Sequence, residues 1–249
     1  MRLINTSTNI HYSGNPVTVE DVRRSLGRLG ITPKPADEND LAKLLAAAHD
    51  LAETVEELPD YEPRSDLKRF PRKDVHRPAS EQQNFGAAWA YKFSIKDPSI
   101  TTAELAGKTV ALKDCIAVAQ VPQLLGTEII QPWTPESDAT IVTWLLENGA
   151  EIVGTANCEN WCQTTASFSS AYGAVDNPYA AGYSAGGSSS GTAALVGGGI
   201  VDMAIGGDQG GSIRVPAGLC GCKHILVYFH MLFGNRERRL TVIPISVSV

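Results

Sequence analysis

Long apolar runs are missing from this 249-residue chain, and no stretch is long enough to cross a bilayer as a helix. The opening MRLINTSTNIHYSGN lacks the basic-then-apolar order of a secretory leader. A cytoplasmic protein without a membrane partner is therefore expected. An excess of positive charge is missing too: the formal net charge of −6 argues against nucleic acid as a partner. Cysteine is sparse and odd in number, comprising Cys115, Cys158, Cys162, Cys220 and Cys222. Without a leader these read as reduced thiols, not as a disulfide framework. Paired CxxC knuckles are absent, which argues against a zinc site and leaves small, buried residues as the plain reading. A phosphate loop fails as well. Gly149 and Gly154 stand at the right separation, but Thr155 follows directly where a lysine is required. No internal repeat is present.

What is present suits a globular α/β protein of one sizeable domain, or a small domain beside a larger one. Residues 17–57 read as helical. In DENDLAKLLAAAHDLAETVEEL, Leu41, Leu44, Leu45, His49 and Leu51 fall near one face, and Asp37 or Asn39 offers a cap. His49 reads as a packed or rim histidine. Residues 58–82 are rich in proline and basic groups, have no period, and read as a linker. Beyond residue 106, KTVALKD is a strand signal. SDATIVTWLLENGA is a helix signal with Ser137 as cap, Ile141, Trp144 and Leu145 as its apolar face, and Gly149 as stop. AEIVGTAN is a second strand. Strand, helix, strand at this spacing predicts parallel pairing with a crossover helix.

Residues 182–221 hold 13 of the 23 glycines. Such density signals tight turns and close backbone approach. Within it GTAALVGGG forms a small-residue helix, VDMAIGG a short buried strand, and GDQGGS a turn with a serine at its tip. Two serine chemistries compete here. GSSSG at 187–191 matches the nucleophile-elbow pattern with Ser189 at its centre. That motif needs a strong preceding strand, which YSAGG is not. It also needs a downstream histidine, and only His224 and His230 follow. The other chemistry is a histidine-free serine hydrolase, in which a neutral lysine serves as base. A lysine is neutral when burial or a neighbouring positive charge favours that form. Lys113 ends the apolar strand VALK; from these residues alone it is either that base or a solvated strand-end lysine.

The run SAGGSSSGTAALVGGGIVDMAIGGDQGGSIRVPAGLCGCK resembles the amidase signature family throughout its length. The subgroup writing GGDQGGSIR, with VALKD upstream, is similar to bacterial-type amidases acting on aliphatic and aromatic amides. GAAWAYK, VALKD, DATIVTWLLENGAEIVGTANCEN, SSAYGAVDNP and SAGGSSSG follow in family order, so the resemblance covers roughly residues 85–223. It implies an α/β amidase signature fold: a mixed, largely parallel sheet core covered by helices, with a small N-terminal helical region. It implies Lys113 as catalytic lysine, Ser188 as a bridging serine following a cis peptide bond, and Ser212 as nucleophile. Backbone amides of Gln209, Gly210, Gly211 and Ser212 are implied as the oxyanion hole. Asp208 and Arg214 are implied as a buried, structural acid and base. Ser189 and Ser190 support the network without chemistry of their own. The substrate implied is a small carboxylic amide, cleaved to an acid and ammonia or an amine through an acyl-enzyme, with no metal or organic cofactor.

The domain order expected is a helical region at 1–57, a linker at 58–82, the N-terminal part of the signature domain at 83–223, and an atypical tail at 224–249. After Lys223 the family pattern stops, so the signature domain is expected to be incomplete. Its alternative role is that of a catalytically inactive truncated fragment, or a pseudoenzyme acting by binding. The tail reads as frame-shifted. With one base restored after the Lys223 codon, a permissible codon set for His-Ile-Leu-Val-Tyr-Phe-His-Met yields Pro-His-Phe-Gly-Leu-Phe-Pro-Tyr, which resembles the family there. The N-terminal helices are candidates for pairing two chains as a homodimer.

Overall fold

The structure is a computed structural model that describes residues 17–57, 65–79, 84–225 and 243–246. The chain divides into two compact units, Met1–Tyr61 and Glu62–Val249. Among the described residues no helix is long and apolar enough to cross a membrane.

The first unit packs α1 (Val19–Arg28) against α2 (Glu38–Glu56). Thr18 starts α1 with a reciprocal cap: its hydroxyl accepts the Asp21 N–H at 3.2 Å, and the Asp21 carboxylate accepts the Thr18 N–H at 2.9 Å. Such a cap satisfies two otherwise orphaned donors. Arg23 grips Glu38 at 2.8 and 2.6 Å, joining the helices by a two-pronged ion pair. The buried residues of α2 are Glu38, Ala42 and Ala46, spaced four apart on one face. This differs from the expected face. Leu44, Leu45 and Leu51 are exposed, and His49 is exposed beside Glu53 at 3.5 Å. Small alanines let α1 approach closely, so they occupy the contact and the larger leucines turn outward.

The strands of the second unit are β1 (Lys73–His76), β2 (Trp89–Ile95), β3 (Thr109–Lys113), β4 (Glu151–Ala156), β5 (Asp176–Asn177), β6 (Ala180–Ser184), β7 (Met203–Gly206) and β8 (Ile243–Ser246). Six of them form one sheet in the order β1-β2-β4-β3-β7-β8, and β5 pairs with β6 in a separate hairpin. Strand β3 runs parallel to both β4 and β7, while the outer pairings are antiparallel. Val110 and Leu112 pack on one face of β3 with α3 (Thr140–Glu147), while Ala111 packs on the other with α4 (Ser190–Gly197). The strand's alternating side chains thus join two cores.

Three expectations change in this unit. The stretch expected as a linker supplies the edge strand β1, a buried Phe70, and Arg72, whose guanidinium is buried against the Asp138 carboxylate. Helix α3 begins at Thr140 after Ala139 without a side-chain cap, not at Ser137. Neighbouring Asp138 is engaged by Arg72 and by the Ala119 N–H at 2.8 Å, a tertiary demand that outweighs local capping. Val142, Leu145 and Leu146 are buried whereas Trp144 faces outward. In the tail, Ile243–Ser246 pairs antiparallel with β7; the rest of 226–249 lies outside the described residues. Gly149 does end α3 with a left-handed backbone, where a Cβ would meet Ile100 and Ala106.

Candidate active site

The parallel arrangement of β3, β4 and β7 delivers three chain segments to one end of the sheet. Lys113 closes β3, the loop after β4 carries Asn157 to Cys162, and Gly207 follows β7. Lys113 is 1 % exposed, with its amine between two acceptors. Its Nζ donates to Ser188 Oγ at 2.8 Å and to the Gly207 carbonyl at 3.4 Å. The alternative of a solvated strand-end lysine is therefore closed by packing.

Ser188, Ser189 and Ser190 enter α4 fully buried. The peptide bond between Gly187 and Ser188 is cis. The Ser188 carbonyl accepts the Glu159 N–H at 3.2 Å, and the Ser189 N–H donates to the Ser212 carbonyl at 3.1 Å. These bonds bring together the serine cluster, the loop after β4 and the turn carrying Ser212. Ser189 Oγ donates to Gly207 O at 3.2 Å, so it is a buried structural hydroxyl and not the tip of an exposed elbow. The start of α4 fits against the sheet because residue 191 has no side chain. A Cβ on Gly191 would lie 2.1 Å from the Ala88 carbonyl oxygen and 2.8 Å from the backbone of Asn157.

The turn Asp208–Ser212 leads into α5 (Arg214–Leu219), and the Asp208 carboxylate organises it. Asp208 accepts the N–H groups of Gly211 at 2.6 Å, Ile213 at 3.1 Å and Arg214 at 3.3 Å, and the Arg214 guanidinium at 3.0 Å. Hydrogen bonding from the Arg214 side chain, reinforced by those amides, holds Asp208 far below the usual carboxylate range. The Asp208 side chain is buried as expected; Arg214 is about half exposed, because its guanidinium reaches Asp208 from the solvent side. Gly211 adopts φ +120°, a left-handed conformation that L side chains rarely take. Its N–H donates to Asp208 at 2.6 Å. The amides of Gln209, Gly210 and Ser212 donate to no acceptor among the described residues. Ser212 itself is 8 % exposed.

Several supporting residues carried no sequence signal of their own. Asp114, beside Lys113, is fully buried; its Oδ2 accepts the N–H groups of Leu124 and Leu125 at 2.8 and 2.7 Å, while Oδ1 has no partner. Burial pushes this carboxyl from 3.8 up to about 7, against the pull of the two amides. Glu159 is also fully buried, where its carboxylate gathers Thr164 and Ser169. Asn157 bridges Ala87 at 3.0 Å and Ser170 at 2.7 Å. All three lie in motifs whose order was legible, but what they hold is distant in sequence. Among the described residues, only His49, Asp50 and Glu53 bring three metal-ligating atoms within 4.8 Å of one another, on exposed or half-exposed positions of α2.

The amidase family model matches residues 83–223. The chain is 50 % identical over 124 residues to an enantioselective amidase of Rhodococcus rhodochrous, covering 48 % of this chain and 24 % of that protein. It is 41 % identical over 130 residues to an indoleacetamide hydrolase of Pseudomonas syringae pv. syringae, covering 52 % and 29 %. Among solved structures, one described as a vestigial complex bearing on the origins of an s-triazine catabolic enzyme superposes with a TM-score of 0.51 at 32 % identity. That match covers 58 % of this chain and 33 % of the other. The chain thus spans between about a quarter and a third of the length of the relatives it matches.

Proposed function

The chain belongs to the amidase family, and from that membership we propose that its site hydrolyses a carboxylic amide through Ser212, Ser188 and Lys113. The observation that carries the reading is the buried 2.8 Å contact between Lys113 Nζ and Ser188 Oγ, next to Ser189, whose N–H donates to the Ser212 carbonyl at 3.1 Å. A buried amine against a buried hydroxyl suits a proton relay, and the Rhodococcus relative's amidase name supports an amide substrate. Residues 83–223 would carry this machinery.

In the first step Lys113 accepts the Ser188 hydroxyl proton as Ser188 takes the proton of Ser212. Ser212 Oγ bonds to the amide carbon, and the carbonyl oxygen becomes an oxyanion. The open amides of Gln209, Gly210 and Ser212 donate to that oxygen, while Asp208 holds the turn by taking the Gly211 amide. Collapse breaks the C–N bond, and the proton held on Lys113 returns through Ser188 to the leaving nitrogen. Water then attacks the ester, gives its proton to the same relay, and releases the acid with Ser212 restored.

The test is twofold. An alkyl fluorophosphonate should label Ser212 in the folded chain, and Ser212→Ala should abolish both labelling and benzamide turnover. Labelling at Ser189, or a folded wild-type chain that neither labels nor turns over amide, would refute the assignment.

A further inference from the structure

The proposed hydrolysis leaves a cluster of sulfur unused. Cys115 follows Lys113 and Asp114 at the end of β3, Cys158 lies just after β4, and Cys162 ends a single 3-10 turn, Asn160–Cys162. The thiols of Cys158 and Cys162 stand 3.9 Å apart. Cys158 is fully buried, whereas Cys162 is partly open to solvent. Trp161 and Cys162 both hold left-handed backbones, φ +49° and +58°, an unfavourable state for side chains of their kind. The Cys162 N–H bonds the Glu159 carbonyl at 2.8 Å, tightening the turn so that its sulfur faces Cys158. The three sulfurs do not form a preformed metal site, since no trio of them meets within 4.8 Å among the described residues. Cys158 and Cys162 pair one sheltered and one partly open thiol, with the partly open Cys115 as a further neighbour of Cys162.

We propose that Cys158 and Cys162 are a peroxide-modification site that closes to a reversible disulfide. A hydroperoxide delivers an oxygen to the Cys162 thiolate: the O–O bond breaks, Cys162 becomes a sulfenic acid, and the peroxide leaves as an alcohol or water. The Cys158 sulfur then attacks the sulfenic sulfur. The S–O bond breaks, an S–S bond forms, and the Cys158 proton leaves with the hydroxyl as water. Two electrons pass from the two thiols to one peroxide. The sulfurs move from 3.9 Å to a bond length of about 2.05 Å.

Electrostatics support the division of labour. Hydrogen bonds from the Cys115 and Cys158 thiols, with Lys113 nearby, lower the Cys162 thiol below the ordinary cysteine range, and thiolate is the reactive form. The same contacts with Cys162, together with burial, raise Cys115 and Cys158. Burial also raises Cys220 to about 12 and Cys222 to about 11, which keeps them unreactive. The proposal does not rest on the amide-hydrolysis reading, because its readout is the covalent state of sulfur.

The experiment treats the reduced full chain with hydrogen peroxide, alkylates the remaining thiols and cleaves at Trp161, which separates the two cysteines. The expected product is a peptide pair linked through Cys158 and Cys162, lighter by two hydrogens and released by dithiothreitol, with Cys115, Cys220 and Cys222 still alkylated. In Cys158→Ser, a dimedone adduct should accumulate on Cys162; in Cys162→Ser, peroxide consumption should fall by roughly tenfold. The urea-unfolded wild-type chain is the control, so the test stands even if a variant misfolds. A native chain whose oxidation pattern matches the unfolded control, or whose dominant disulfide includes Cys115, overturns the proposal.

Discussion

Replacing Asp114 by Asn tests which of two opposed forces governs the carboxyl beside Lys113. The residue is fully buried, with one oxygen accepting two backbone amides and the other without a partner. Burial opposes charge and the amides favour it; burial wins, raising the group from 3.8 to about 7. At ~1.36 kcal/mol per pKa unit, that difference is worth about 4 kcal/mol. The sign follows from proton counts. Below about pH 4 both folded and unfolded chains keep the proton; from there to about pH 7 only the folded chain does. Stability from this group is therefore full at low pH and is lost as pH rises through about 7. Asn carries no charge at any pH and still offers an oxygen to the Leu124 and Leu125 amides. Urea unfolding followed by tryptophan fluorescence, with the buried Trp89 as reporter, should be run at several pH values on both proteins. The stability difference should move toward Asp114→Asn by about 4 kcal/mol between about pH 4 and pH 8. No movement, or movement toward wild type, would mean that the amides outweigh burial and that the carboxylate is stable in place.

Lys113→Met should abolish benzamide turnover nearly as completely as loss of Ser212, because a relay acts as a unit. Arg72→Met leaves Asp138 buried without its cation and should cost about 3–5 kcal/mol in urea unfolding, most of which Arg72→Met with Asp138→Leu should recover. Gly191→Ala drives a methyl group into the Ala88 carbonyl and should destabilise by at least about 1–3 kcal/mol, read as a lowered unfolding midpoint.

Local signals account for most of the second unit. Apolar alternation at VALK and EIVGTA, a helix pattern between them, and the stop at Gly149 specify β3, α3 and β4 with parallel pairing. Small residues in GTAALVGGG specify a helix that seats closely, and Gly191 shows how closely. Patterns failed where a residue had a distant partner. The cap expected at Ser137 is not used, and the neighbouring Asp138 is bound instead by Arg72, 66 positions away. Residues 65–76 lacked a period because only isolated side chains, Phe70 and Arg72, are buried there, not a repeating face. In α2 the leucines carry the larger apolar side chains, yet close approach selected Ala42 and Ala46 for the contact.

The candidate site divides in the same way. The sequence nominated nucleophile, bridge and base only through the motifs that resemble the amidase signature family; read without that resemblance, its residues left Lys113 open between a base and a solvated lysine. Whether Lys113 was buried or solvated, that Gly211's amide is committed to Asp208, and that Cys162 faces Cys158 were decided only by tertiary structure. Burial and hydrogen-bond partners depend on segments such as 113, 188 and 212 meeting at one sheet end. No local window contains the groups that set the charge and exposure of a neighbour dozens of residues away.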